Sequence, residues 1–218
     1  MTTATSVALQ RLNSLLPLKI RQSALPPKLL SLHRATLTSL ADRGRPPDRE
    51  ELHELLAGSD VDAALRRLAD DDLVVLNTTG NSIAGAYPMT TEKTRHYLIV
   101  NKQPVNAMCA LDALSVGPMF NAEVAISSEC HVTGTAINIR MQGEALLEVK
   151  PSRDVHVGVR WQNPSACAAH SICLEMVFLK DQPTALEWQA GDSENTSLFN
   201  LQDAVSFGSG FFVPLLQG

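Results

Sequence analysis

Apolar positions recur at helical intervals through the first ninety residues. Val7, Leu9, Leu12, Leu15, Leu16 and Leu18 fall at mixed helical spacing and predict an amphipathic helix over residues 7–20. Pro26 and Pro27 mark a break that suits a helix start, and Leu29, Leu30, Leu32, Leu37 and Leu40 carry the next helix up to Gly44. Pro46 and Pro47 open a third, with Leu52, Leu55 and Leu56 on one side until Gly58. Ser59 is placed to cap a fourth, with Val61, Ala64, Leu65 and Leu68 turned inward. The period then shortens: residues 73–76 read as a strand, 77–81 as a turn and 82–87 as a returning strand. Helices followed by a two-stranded ribbon make a winged-helix-like unit over residues 1–90.

From about residue 93 strands dominate. Residues 97–100 predict a strand, and 104–120 a loop running into a helix. Residues 122–128 and 135–141 flank a turn at 131–134, the pattern of a hairpin. Further strands are predicted over 145–149, 155–161 and 172–179, a short helix from Pro183 to Trp188, and a closing helix over 201–216. The fold class is therefore α+β. The winged-helix-like unit leads into a mixed or antiparallel sheet with flanking helices over residues 91–218, the part expected to carry the chemistry.

Composition narrows the function. A chain of 218 residues can bury roughly 70% of its unfolded surface, so no staple is needed. Hydrophobic residues at 44% and charged residues at 19% exclude a disordered chain. With 18 Lys and Arg against 23 Asp and Glu, the net charge of −5 speaks against a nucleic-acid partner. The fourth helix sets Arg66 and Arg67 against Asp60, Asp62, Asp70, Asp71 and Asp72, an array that groove phosphates would repel. Residues 70–72 read as a solvated helix end. No apolar run reaches the about 18–20 residues of a membrane span. Gln10, Arg11 and Asn13 interrupt the N-terminal apolar stretches, so no signal peptide is expected and a cytoplasmic location is.

Cys109, Cys130, Cys167 and Cys173 form no C-x-x-C pair, and burial as a small hydrophobe is the ordinary fate of each. No phosphate-binding glycine loop or H-E-x-x-H motif is present. The informative stretch is Asn106-Ala-Met-Cys-Ala-Leu-Asp-Ala-Leu114. On a helix, Cys109 and Asp112 stand at i and i+3 on one face. A helix N-terminus there favours thiolate and the carboxylate opposes it, so the two can share a proton. Spacing alone leaves open a core cysteine beside a surface aspartate. Cys167, His170 and Cys173 could join His131 or His156 in a zinc site, but no second ligand pair appears. A cysteine hydrolase would need an oriented Cys–His pair, and His33, His53, His96, His131, His156 and His170 are scattered and read mostly as surface residues. Trp161 and Trp188 read as packing anchors.

Together the motifs carry a resemblance. The Cys109-Ala-Leu-Asp-Ala-Leu stretch, Ile126-Ser-Ser-Glu-Cys130 with Thr133-Gly134, Ser171-Ile-Cys173 with Phe178, Pro183-Thr-Ala-Leu-Glu-Trp188 and Ala204-Val-Ser-Phe-Gly208 with Leu215-Leu216 resemble the alkylmercury (organomercurial) lyase family over about residues 95–216. The resemblance implies Cys109 and Cys173 as working cysteines that bind mercury, Asp112 as proton relay and weak oxygen ligand, and Cys130 as a structural cysteine. Met108 departs from the family's tryptophan, and Leu174 and Glu175 from a cysteine and histidine found in some members. Cys167 has no counterpart and reads as structural or incidental. The implied reaction is protonolysis of R–Hg⁺ to R–H and Hg²⁺, without an organic cofactor. Free thiols would assist release, and a mercuric reductase would accept the metal. Mercury(II) is a soft cation and thiolate its matching ligand, so the chemistry suits these side chains. A non-catalytic soft-metal or organomercurial binder or sensor is the alternative, and the carboxylate at Asp112 favours turnover.

Overall fold

The computed structural model describes residues 2–217. Five helices come first: α1 (Thr3–Leu15), α2 (Leu18–Ser23), α3 (Pro27–Arg43), α4 (Arg49–Leu55) and α5 (Val61–Asp70). The helix expected over 7–20 is thus two, broken at Leu16 and Pro17, where proline's missing N–H interrupts the hydrogen-bond ladder. α4 starts later than its prolines suggested because Asp48 caps it in a reciprocal box with Glu51. At α5 the cap is Asp60 rather than Ser59, its carboxylate accepting from the N–H groups of Asp62 and Ala63. α3 ends where Gly44 turns left-handed, and a Cβ there would lie 2.3 Å from the Pro104 carbonyl oxygen.

Eleven strands and three further α-helices follow among the described residues. Short β1 (Val75–Leu76), β2 (Ile83–Ala86) and β3 (Met89–Thr90) lead to β4 (His96–Val100), β5 (Gln103–Ala107) and α6 (Ala110–Phe120). Next come β6 (Glu123–Glu129), β7 (Ala136–Gln142), β8 (Ala145–Lys150) and β9 (His156–Arg160). The chain closes with β10 (Met176–Leu179), α7 (Gln182–Gln189), β11 (Thr196–Asn200) and α8 (Leu201–Phe212). One sheet has eight strands in the order β1-β2-β3-β5-β4-β6-β7-β8; the other has three, β10-β9-β11. Every pairing among the described residues is antiparallel, so α+β holds and the sheet expected to be mixed or antiparallel is an antiparallel one there. The ribbon β1–β2 is not a free wing: β3 pairs with both β2 and β5 and carries the sheet across residue 90.

The core lies between α6 and this sheet. Alternate residues of β7 (Ile137, Ile139, Met141) are buried, and Leu98, Val100, Val124 and Ile126 join them beneath α6. α6 is apolar on nearly every side, because α8 and β10 cover what the sheet does not. Two expectations fail here. Residues 104–107 form β5 instead of a loop, their alternation hidden by Pro104. Residues 172–179 are only half strand: Ile172–Glu175 is a 3-10 turn, and pairing with β9 begins at Met176. No described helix is long and apolar enough to cross a membrane.

Candidate active site

Cys109 is the N-cap of α6, with extended backbone angles, and not a helical residue as the spacing suggested. The pairing with Asp112 survives because Asp112 is the third residue of the helix, from which a side chain reaches back to the cap. The Asp112 N–H donates to Cys109 Sγ at 3.3 Å, a place where Ser or Asp would ordinarily accept. The aspartate is no surface residue: it is 2% exposed, beside Cys109 at 1%.

Cys173 arrives from the 3-10 turn before β10 and is 4% exposed. One ligand atom each of Cys109, Asp112 and Cys173 lies within 4.8 Å of the others, and no other group of three His, Cys, Asp or Glu converges so among the described residues. That disposes of zinc held by Cys167, His170 and Cys173 together. The carboxyl oxygen Asp112 Oδ2 is buried with no hydrogen-bond partner, a costly arrangement of the kind kept at sites of reaction. Burial pushes the Asp112 carboxyl up to about 8, against the opposing pull of the neighbouring Cys109 side chain and backbone. Burial also raises the Cys109 thiol, and the nearby Asp112 charge adds to it. The hydrogen bond with Cys109, then burial, then the Asp112 charge push Cys173 well above the ordinary thiol value. At neutral pH all three buried groups therefore hold their protons.

A cavity of about 440 Å³ opens onto this cluster. Cys173 lines it, whereas Cys109 and Asp112 do not; Met108, Met176, Phe178 and His96 complete the inner wall, and Arg95, His131 and His170 are also on it. His96 is buried, contrary to the surface reading, hydrogen-bonds Ser128 Oγ through Nδ1 at 2.9 Å, and is driven down to about 4 by burial. His33 is buried too, within α3, and is not among the residues lining the cavity.

The 3-10 turn Ala168–His170, just before the one that carries Cys173, is tied down by a buried network the sequence did not reveal. Tyr87 Oη donates to Asp72 Oδ1 at 2.8 Å and accepts from the Ala169 N–H at 2.9 Å, while the Ala168 N–H donates to Asp72 Oδ2 at 3.1 Å. Asp72 is thus 7% exposed and no part of a solvated helix end. With its proton spent on Asp72, Tyr87 Oη accepts from the half-buried Cys167 thiol at 3.3 Å. Cys130 is buried at the end of β6, where its N–H and C=O close the turn to Thr135 and Gly134. Burial pushes its thiol up, but hydrogen bonds from Thr133 and from the Lys180 and Val132 backbone outweigh this and bring it below the ordinary value. Trp161 packs on Phe207 and donates to Ser197, as an anchor should.

The alkylmercury lyase family model matches residues 89–213, more than half of the chain. An alkylmercury lyase of Staphylococcus epidermidis is 26% identical over 177 residues, spanning 81% of this chain and 79% of that protein. One of Pseudomonas putida is 26% identical over 167 residues, 76% of each. The crystal structure of the mercury-bound form of MerB2 superposes with a TM-score of 0.75 at 21% identity, covering 91% of this chain and 98% of that one, and so shares the fold. The chain belongs to the alkylmercury lyase family, enzymes that cleave the carbon–mercury bond.

Proposed function

We propose that this protein protonolyses R–Hg⁺ with Cys109 and Cys173 as mercury ligands and Asp112 as proton carrier. The observation that carries the reading is the convergence of two thiols and one carboxyl, all buried, with Asp112 Oδ2 unpaired. Cys173 faces the cavity, so capture starts there: mercury displaces the thiol proton and forms Cys173–S–Hg–R. Cys109 then adds as a second sulfur, raises electron density on mercury and weakens the carbon–mercury bond. Asp112, still protonated at neutral pH, gives its proton to the departing carbon and takes another from Cys109. R–Hg⁺ and two thiols thus yield R–H, a neutral dithiolate mercury and one released proton, with no organic cofactor in the balance. Small thiols of the cytoplasm would then draw Hg²⁺ off toward a mercuric reductase.

The test is headspace gas chromatography on protein incubated with methylmercury or phenylmercury and excess small thiol. Wild type is expected to release methane or benzene, and Cys109→Ser, Cys173→Ser and Asp112→Ala none. Tight mercury binding without hydrocarbon from wild type would replace this reading with that of a sequestering or sensing protein.

A further inference from the structure

The Cys109 thiol has a partner that the two-thiol reading does not use. Its S–H donates to Met176 Sδ at 3.8 Å, and both side chains are buried. Met176 opens β10, three residues after Cys173, and lines the cavity along which substrate reaches the cluster. We propose that Met176 is a third, neutral sulfur donor to mercury, completing a three-sulfur site with Cys109 and Cys173. This rests on the assignment of those two cysteines as the mercury ligands.

In the resting protein a lone pair of the thioether is directed at Cys109 Sγ, because it accepts that thiol's proton. When mercury displaces the proton, the same lone pair faces the metal-bearing sulfur at contact distance. A thioether is soft, so it suits mercury, and it has no proton to lose. It therefore adds electron density without adding charge to a pocket where burial already penalises ions. A bare packing role would be served by any aliphatic side chain and would not require a sulfur aimed at a thiol. Met108, which also lines the cavity, shows no such contact with Cys109 and serves as the internal control.

The experiment is mercury-edge X-ray absorption on Hg²⁺-loaded, selenomethionine-substituted protein, in which a thioether donor becomes selenium and separates from thiolate sulfur. A mercury–selenium contact is expected in the parent and in Met108→Leu, and its loss in Met176→Leu. Single-turnover hydrocarbon release should slow by about tenfold in Met176→Leu, the cost typical of a supporting ligand. No mercury–selenium contact in the parent, or one that survives Met176→Leu, overturns the proposal. Because the contact is read on Hg²⁺ alone, failure of hydrocarbon release would sink the lyase mechanism while leaving this result standing.

Discussion

Asp112 shows at the scale of one residue how function and stability pull apart. Folding moves its carboxyl from the ordinary 3.8 up to about 8, so the folded chain binds a proton that the unfolded chain has released over that range. Stability is consequently lost as pH rises from about 4 to 8. Asp112→Asn should be more stable than wild type, with a gap that opens from pH 4 to pH 8 and exceeds about 1 kcal/mol at the upper end in urea titrations. A gap that stays constant with pH would mean the buried carboxyl is not held protonated. Cys130 behaves in the opposite sense. Cys130→Ser buries a hydroxyl in place of a thiol and should cost about 1–3 kcal/mol, lowering Tm while each folded molecule still releases hydrocarbon. An intact Tm with lost turnover would sink its structural role. The nearness of Cys109 and Asp112 was legible in their spacing of three, although spacing alone left open a core cysteine beside a surface aspartate; it holds because the cap and the third helical position face one another. Cys173 was not readable from spacing. The 64 positions separating it from Cys109 are closed by tertiary packing, and only the family resemblance joined the two.

At the scale of the element, α6 sets the position of Cys109 and Asp112 and is itself set by α8. Gly208 makes this possible: a Cβ there would meet Ser115 Oγ at 2.1 Å. Gly208→Ala should force the helices apart and destabilise by about 1–3 kcal/mol, as overpacked cores do. Adding Ser115→Ala removes the oxygen and should restore most of that loss, a double-mutant cycle read by chemical denaturation. Additive losses would rule the clash out. Elements were legible where a period persisted, as in β7 with its alternate Ile137, Ile139 and Met141. They were illegible where two structures share a short apolar run. Residues 172–179 look uniformly strand-like, yet the first half turns so that Cys173 can face Cys109, and no local pattern records that demand. The Asp72–Tyr87 network was hidden for the same reason, since its partners lie 15 residues apart and then 82 to Ala169.

For the whole molecule, His33 ties the helical region to both the sheet side and the C-terminal turn. Its Nε2 donates to the Leu73 carbonyl at 3.1 Å, and its Nδ1 accepts from Gln22 Nε2, which also donates to the Leu215 carbonyl at 2.8 Å. A second ring proton would face the Gln22 amide, and burial already holds the group down to about 4. The unfolded chain takes up that proton near pH 6.5, so the contribution of neutral His33 is complete above 6.5 and falls as pH drops toward 4, by up to about 3 kcal/mol. His33→Gln should flatten this acid slope relative to wild type; Asp112, present in both, cancels from the comparison. Equal slopes would exclude His33 as the source.

The shared protonation of the cluster has a consequence for competition among metals. A harder divalent ion such as zinc must also release thiol protons on binding, and it wants four ligands. Here it would meet three protonated donors in a pocket that resists charge, and would have to expel two protons for a poor fit. Mercury forms so much stronger a bond to sulfur that it displaces those protons unaided. On the mercury-ligand assignment proposed above, the protons held on these buried groups would count more heavily against a hard ion than against a soft one.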